Sequence, residues 1–254
     1  MYNICIFDTE TTGLVKPFCY NIGYIIHDLE TGKDLLKREF VVEQIWHNIP
    51  LFSTAYYADK RPIYIKRMRA RKILLEKFGY ITQIMKRDFK KLNVKNAYAY
   101  NSTFDKNVFE FNCDFFKVLN PFDNVEIFDI WTYAQNKIAF TDDYKAFCEK
   151  NELFTETGNF STNAENIYKF ITNDNEFIEE HTALNDSKIE LAILLECVKR
   201  GAQLQTHYKK YSCVPRHNNK PCKIKVDNNV IFEGTFQKKY ATKDLKVINL
   251  TTKV

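Results

Sequence analysis

The run Asn-Ile-Cys-Ile-Phe at residues 3 to 7 is short, apolar and partly β-branched, and it stops at an acid, Asp8. A run of that kind reads as a strand buried on both faces, so the chain must supply layers to cover it. Tyr20, Ile22, Tyr24 and Ile26 alternate, DLETGKD supplies a turn, and Leu36, Phe40 and Val42 resume a period of two, predicting an antiparallel hairpin over residues 20 to 42. Residues 66 to 92 carry helical spacing through Ile73, Leu74, Phe78, Ile81, Ile84 and Met85. A short strand follows at Ala97 to Tyr100, then a helix from about Phe104, a strand near Val125 to Phe128 and a helix from about Asp129. The last strong element is an apolar helix over Ser187 to Arg200, closed by Gly201. Strands first, then helices alternating with strands, predict an α/β fold with a mixed five-stranded sheet flanked by helices.

Composition narrows the function classes. The seven glycines, at 13, 23, 32, 79, 158, 201 and 234, never fall closer than nine positions apart, which excludes both the P-loop and the glycine-rich dinucleotide turn. The longest apolar run is Leu191 to Leu195, and MYNICIFDTE lacks a basic segment followed by an apolar stretch, so neither a membrane span nor a signal peptide is expected. Seven scattered cysteines without a C-x-x-C pair fit a reducing cytoplasm.

The net charge of +5 is unevenly spread: residues 206 to 254 hold 11 Lys/Arg against 3 Asp/Glu. An acidic body with a basic tail suits a cation-filled site that works on a polyanion, although solubility alone accounts for such a split. The expected division is a body over residues 1–203 and a basic C-terminal appendage over 204–254. Within the appendage Ile224, Val226, Val230 and Phe232 around Asp227-Asn228-Asn229 predict a small hairpin. His207, Cys213, His217 and Cys222 match no standard zinc finger. The Asn-, Lys-, Ile- and Phe-rich, Gly-poor composition suggests an AT-rich genome, such as that of a bacteriophage.

The chemistry is concentrated in three places. In Asp8-Thr9-Glu10 an extended backbone turns both acids to one face at the end of the first strand, although an acidic turn uses the same residues. Asp105 falls in the first turn of a helix that Ser102 or Thr103 can cap, where an acid also favours the helix dipole. His181 precedes Asp186 by five residues, about 140° around a continuous helix. The two converge only if His181 lies on the segment leading into the helix.

Together, DTETTGL at Asp8 to Leu14, N-x-x-F-D at Asn101 to Asp105 and H-x-A-L-x-D at His181 to Asp186 resemble, in the same order, the motifs of the DEDDh 3′→5′ exonucleases. The resemblance covers about residues 3 to 200. It implies a ribonuclease-H-like fold and a proofreading-type activity, with Asp8, Glu10, Asp105 and Asp186 as ligands of two Mg²⁺ (or Mn²⁺) and His181 as general base. It further implies that Thr11, Leu14, Asn101 and Phe104 touch the terminal nucleotides of a single-stranded DNA or RNA 3′ end.

Elementary electrostatics agrees on the need for a cation. Two carboxylates about 4 Å apart repel by roughly 4 kcal/mol at an effective dielectric of 20, so four converging acids protonate or splay unless neutralised. Oxygen-only donors select hard ions over zinc. The expected reaction is hydrolysis of single-stranded or frayed nucleic acid, DNA favoured, to 5′-mononucleotides. An RNA or short-oligonucleotide nuclease and a catalytically idle nucleic-acid-binding or polymerase-docking subunit are the alternatives. Outside the motifs, Lys66, Arg67 and Arg69 lie in a basic stretch near Tyr56, Tyr57 and Tyr64 that suits a phosphate backbone, or else a solvated helix face. The tail reads as a nucleic-acid clamp or as a docking element for a polymerase or other replication partner.

Overall fold

The computed structural model describes residues 2–216 and the backbone of two strands at 221–226 and 229–235. Strands β1 (Asn3–Thr11), β2 (Cys19–Asp28) and β3 (Lys33–Val42) lead into short helices α1 (Glu43–Trp46) and α2 (Ile49–Phe52), a 3-10 turn at Ala58–Lys60 and helix α3 (Arg61–Arg69). Next come β4 (Leu74–Glu76), α4 (Phe78–Lys91), β5 (Asn96–Ala99), α5 (Thr103–Phe116), β6 (Glu126–Asp129) and α6 (Ile130–Ala134), which runs into a π turn at Gln135–Ala139. Helices α7 (Asp142–Lys150), α8 (Ala164–Thr172) and α9 (Ala183–Lys199) precede strands β7 (Pro221–Val226) and β8 (Asn229–Thr235).

The six-stranded sheet has the order β4-β3-β2-β1-β5-β6. Strands β1 to β3 form an antiparallel meander, while β5 runs parallel to β1, β6 to β5 and β4 to β3. This is a ribonuclease-H-like mixed sheet flanked by helices. The apolar start of β1 is central, as its sequence predicts, and every residue of β2 is buried. One core joins Phe7, Tyr24 and Phe40 to Phe78, Ile81, Met85 and Phe89 of α4 and to Phe109 of α5. Phe122 closes on Phe7 with ring centroids 4.4 Å apart and on Phe109 at 4.9 Å.

The sheet has six strands where the sequence pattern predicts five, because residues 66 to 92 are not one helix. Arg71 adopts a left-handed φ of 56°, Ile73 turns into the core, and Leu74–Glu76 pairs in parallel with Phe40–Val42. That pairing satisfies backbone groups on the exposed edge of β3, a tertiary gain that periodicity within a single segment does not register.

The N-terminus of α9 meets β2 at Gly23, where a Cβ would stand 2.2 Å from the Leu184 nitrogen and 2.3 Å from the Ala183 carbonyl carbon. Only glycine permits that approach. Asn21 secures the contact: its Oδ1 accepts from the Ala183 N–H at 2.8 Å and from the Tyr64 hydroxyl at 3.0 Å, while its Nδ2 donates to the Phe40 carbonyl at 2.8 Å.

Two compact units can be distinguished, residues 1–141 with 162–211, and residues 142–161 with 212–254. The expected boundary after residue 203 falls inside the first unit. There the N–H groups of Gln205 and Thr206 donate to the Tyr98 and Tyr133 hydroxyls at 3.3 and 3.0 Å, and Gln135 exchanges two hydrogen bonds with the Tyr211 backbone. In the second unit, Phe160 bridges Phe154 and Val214, and Arg216 forms a two-pronged pair with Glu149 at 2.7 and 2.8 Å. Strands β7 and β8 pair antiparallel with Val226 opposite Asn229, giving the expected hairpin, although the side chains of Ile224, Val226, Val230 and Phe232 lie outside the described residues. The side chains of His217 and Cys222 do so as well.

Candidate active site

Strand β1 stays extended through Thr11, so Asp8 and Glu10 project to the same face at its carboxyl end. Asp186 reaches them from the first turn of α9, whose docking at Gly23 and Asn21 fixes its position. One carboxylate oxygen from each of Asp8, Glu10 and Asp186 lies within 4.8 Å of the others. Asp186 and Glu10 are close enough to hydrogen-bond through a shared proton, and the Asp186 Oδ1 is buried with no hydrogen-bond partner.

Asp105 sits in the first turn of α5, buried, and accepts from the Thr9 hydroxyl at 2.7 Å. It stands outside the three-carboxylate group, yet among the charges around Asp8 it is the one that raises that carboxyl most. Ser102 occupies the N-cap position of α5, but neither its hydroxyl nor that of Thr103 caps the helix.

Burial and mutual repulsion raise every acid here. Burial is the larger cause for Asp8, followed by Asp105, Asp186, Glu190 and Glu10. Burial also carries Glu10 to about 8 and Asp186 to about 9, the latter with help from Glu179 and Glu10. Asp105 is lifted to about 7 by burial, against the hydrogen bond from Thr9. Carboxyls held this far up exist as anions at neutral pH only beside a positive charge. The donor set is all oxygen, and the buried Asp186 Oδ1 has no hydrogen-bond partner among the described residues, so these residues fit a hard divalent cation.

His181 lies on the segment leading into α9, just before its N-cap Thr182, as convergence with Asp186 requires. Its φ of 54° is left-handed, and its ring stacks on Tyr57 at 4.1 Å with a 12° interplanar angle. The Nδ1 lies 3.7 Å from the Glu179 carboxylate, and Glu165, Glu179 and His181 form a second group of potential ligands beside the acid trio. Burial first and Lys60 second lower the His181 pKa against the opposing charge of Glu165, and the lowering favours the neutral imidazole.

The remaining expected residues are spread around this centre. Thr11 ends β1 and donates to the Gly13 carbonyl at 3.2 Å, and Leu14 is 82% exposed beyond it. Asn101, at φ 60°, donates its N–H to Asp129 and accepts from Lys210 Nζ at 3.0 Å, while Phe104 packs against the core. Arg67 is spent internally: only 17% of its side chain is exposed, and it pairs with buried Glu39 at 2.6 Å and donates to the Thr182 hydroxyl at 3.1 Å. Among the described residues, Lys66 and Arg69 enter no such pair.

Sequence reasoning missed Asn21, Gly23, Glu179 and Glu190. Nothing in a linear pattern separates a strand Asn from any other, and Glu190 interrupts the apolar pattern of α9 just as a solvent-facing residue does.

No family model and no curated protein matches this chain. Solved structures do resemble it. An exonuclease I from Methylocaldum szegediense superposes with a TM-score of 0.50 at 17% identity, over 77% of this chain and 40% of that one. A structure described as SSB/exonuclease I in complex with an inhibitor gives 0.52 at 15% identity, over 77% and 42%. An ExoI/SSB-Ct complex gives 0.50 at 16%, over 78% and 41%. The chain thus spans about two fifths of the length of those proteins, and the likeness is one of fold. Among the described residues, no helix is long and apolar enough to cross a membrane.

Proposed function

We propose that this chain is a metal-dependent 3′→5′ exonuclease that hydrolyses single-stranded or frayed nucleic acid, with DNA the favoured substrate, to 5′-mononucleotides. The observation that carries the reading is the meeting of Asp8, Glu10 and Asp186 within 4.8 Å, from a strand end and a helix start far apart in sequence. Asp8, Glu10 and Asp186 would hold divalent cations, with Asp105 beside them. Bound there, such ions supply charge neutralisation and Lewis-acid activation of water and of the phosphodiester.

The protein's own groups do the rest. Neutral His181 accepts a proton from the attacking water, a role that needs an unprotonated imidazole on the segment leading into α9 rather than inside the helix. Thr9 holds Asp105 in orientation through its hydroxyl. Thr11, Leu14, Asn101 and Phe104 receive the terminal nucleotides, Leu14 offering an exposed apolar surface on which a base can lie. Lys66 and Arg69 track the departing strand, and the basic tail serves as a clamp or as a contact for a replication partner. A cytoplasmic setting, in a bacteriophage-infected host, fits the cysteine usage and composition.

Incubating 3′-labelled and 5′-labelled single strands of DNA and RNA with Mg²⁺, and then with a chelator, tests the reading. Mononucleotide release from the 3′ label first, stopped by the chelator, is the expected result. Release from the 5′ label first, or none from either, would refute it. Faster cleavage of RNA would move the substrate class without moving the site.

A further inference from the structure

Glu190 stands four residues after Asp186 on α9, one helical turn on, and so shares its face. That face is turned inward: the residue is 3% exposed, and α9 packs on β1 and β2. One carboxylate oxygen accepts a hydrogen bond from the Tyr100 backbone N–H, at the end of β5 and just before Asn101. The other, Oε2, is buried with no partner. The charges that reach Glu190 are those of Asp105, Asp186 and Glu179, all acidic, and Glu190 in turn acts on Asp8.

A buried carboxylate with a free oxygen and only acids around it is costly, and a cheaper apolar residue would fit the helix pattern equally well. The cost is offset if a cation sits among the same acids. We infer that Glu190 is a fifth acidic member of the cation centre, in which its free oxygen anchors the hydration shell of a bound divalent ion and its other oxygen holds the Tyr100 peptide in register with Asp105. This rests on the reading of the acid cluster as a cation site. It adds to that site a residue outside the three sequence motifs.

The test is titration of Mn²⁺, without nucleic acid, into the full-length protein and its Glu190→Gln and Glu190→Asp variants. Glutamine keeps the size and the acceptor for the Tyr100 N–H but removes the charge. Outer-shell partners of metal ligands typically change affinity by about 10- to 100-fold when removed. Glu190→Gln is therefore expected to weaken at least one Mn²⁺ site by roughly that factor, with Glu190→Asp in between. A folded Glu190→Gln protein whose isotherm superimposes on wild type overturns the inference and leaves the cation centre standing. A wild type that takes up no Mn²⁺ overturns both. If Glu190→Gln fails to fold, Glu190→Asp decides alone, since it keeps the charge but draws the carboxylate back, and unchanged affinity there is equally fatal.

Discussion

The Ala183 N–H donates to the Asn21 carboxamide at 2.8 Å, and this bond ties the first turn of α9, and Asp186 with it, to strand β2. The same side chain serves the Tyr64 hydroxyl and the Phe40 carbonyl. Replacing Asn21 by Ala orphans three buried groups, each worth about 1–3 kcal/mol. Asn21→Ala should lose roughly 3 kcal/mol or more in urea unfolding and should hydrolyse nucleic acid more slowly. A wild-type midpoint would show that the carboxamide anchors nothing.

Gly23→Ala probes the same junction sterically. The new Cβ would meet α9 backbone at 2.2 Å, with no flexible side chain to give way, so helix and strand must separate. Overpacking of this kind costs about 1–3 kcal/mol and occasionally more. Mn²⁺ affinity should fall together with stability, because Asp186 moves with its helix; calorimetric titration reads the first and urea unfolding the second.

His181→Ala should lower turnover by roughly 10² to 10⁴ while Mn²⁺ still binds, as expected for a general base that is not a ligand. Asp8→Asn should cost more, because that residue belongs to the carboxylate trio itself. Single-turnover rates beside binding isotherms separate the two behaviours. Full activity in the histidine variant would remove His181 from the reaction.

Stability without metal should fall as pH rises. Glu10 and Asp186 titrate near 8 and 9 in the fold, above the ordinary carboxylate range, so the folded chain binds more protons than the unfolded one throughout the interval between. Their stabilising contribution is complete below about pH 4 and is lost as pH climbs through the folded values. In EDTA, Tm should decline from pH 5 to 9, and added Mn²⁺ should raise it more at pH 8 than at pH 6. A flat EDTA profile over that range would contradict the clustering of the acids.

Arg67 and its neighbours should part company. Arg67→Ala leaves Glu39 buried and unpaired and should cost about 3–5 kcal/mol. Charge reversal at Lys66 and Arg69 should instead flatten the salt dependence of single-strand binding, with little change in unfolding. Identical salt slopes would confine the basic helix to a structural role.

Much of this was legible in the sequence. The NICIF run announced a central strand, and its extended continuation carried Asp8 and Glu10 to one face. His181 does lie on the segment before α9, where an approach to Asp186 required it, yet its ring nitrogen groups with Glu165 and Glu179 rather than with the acid trio. What stayed hidden depends on three-dimensional neighbours. Leu74–Glu76 became a strand only because β3 offered an open edge. Arg67 looked like part of a phosphate-binding stripe until Glu39, 28 residues away, claimed it. Glu190 went unmarked because a helix sequence does not say which of its faces is covered.

Strand β1 pairs with β5 through Ile4 opposite Asn96, and its acids meet a helix that begins only at Ala183. Contacts so distant along the polymer close late in folding. A chain still emerging from the ribosome, or cut short anywhere before that helix, holds Asp8 and Glu10 without Asp186 and, if the proposed function holds, would be unable to cleave a polynucleotide. On that reading, synthesis of the chain would complete the cation centre only once the first unit is nearly whole, away from premature contact with the messenger being read.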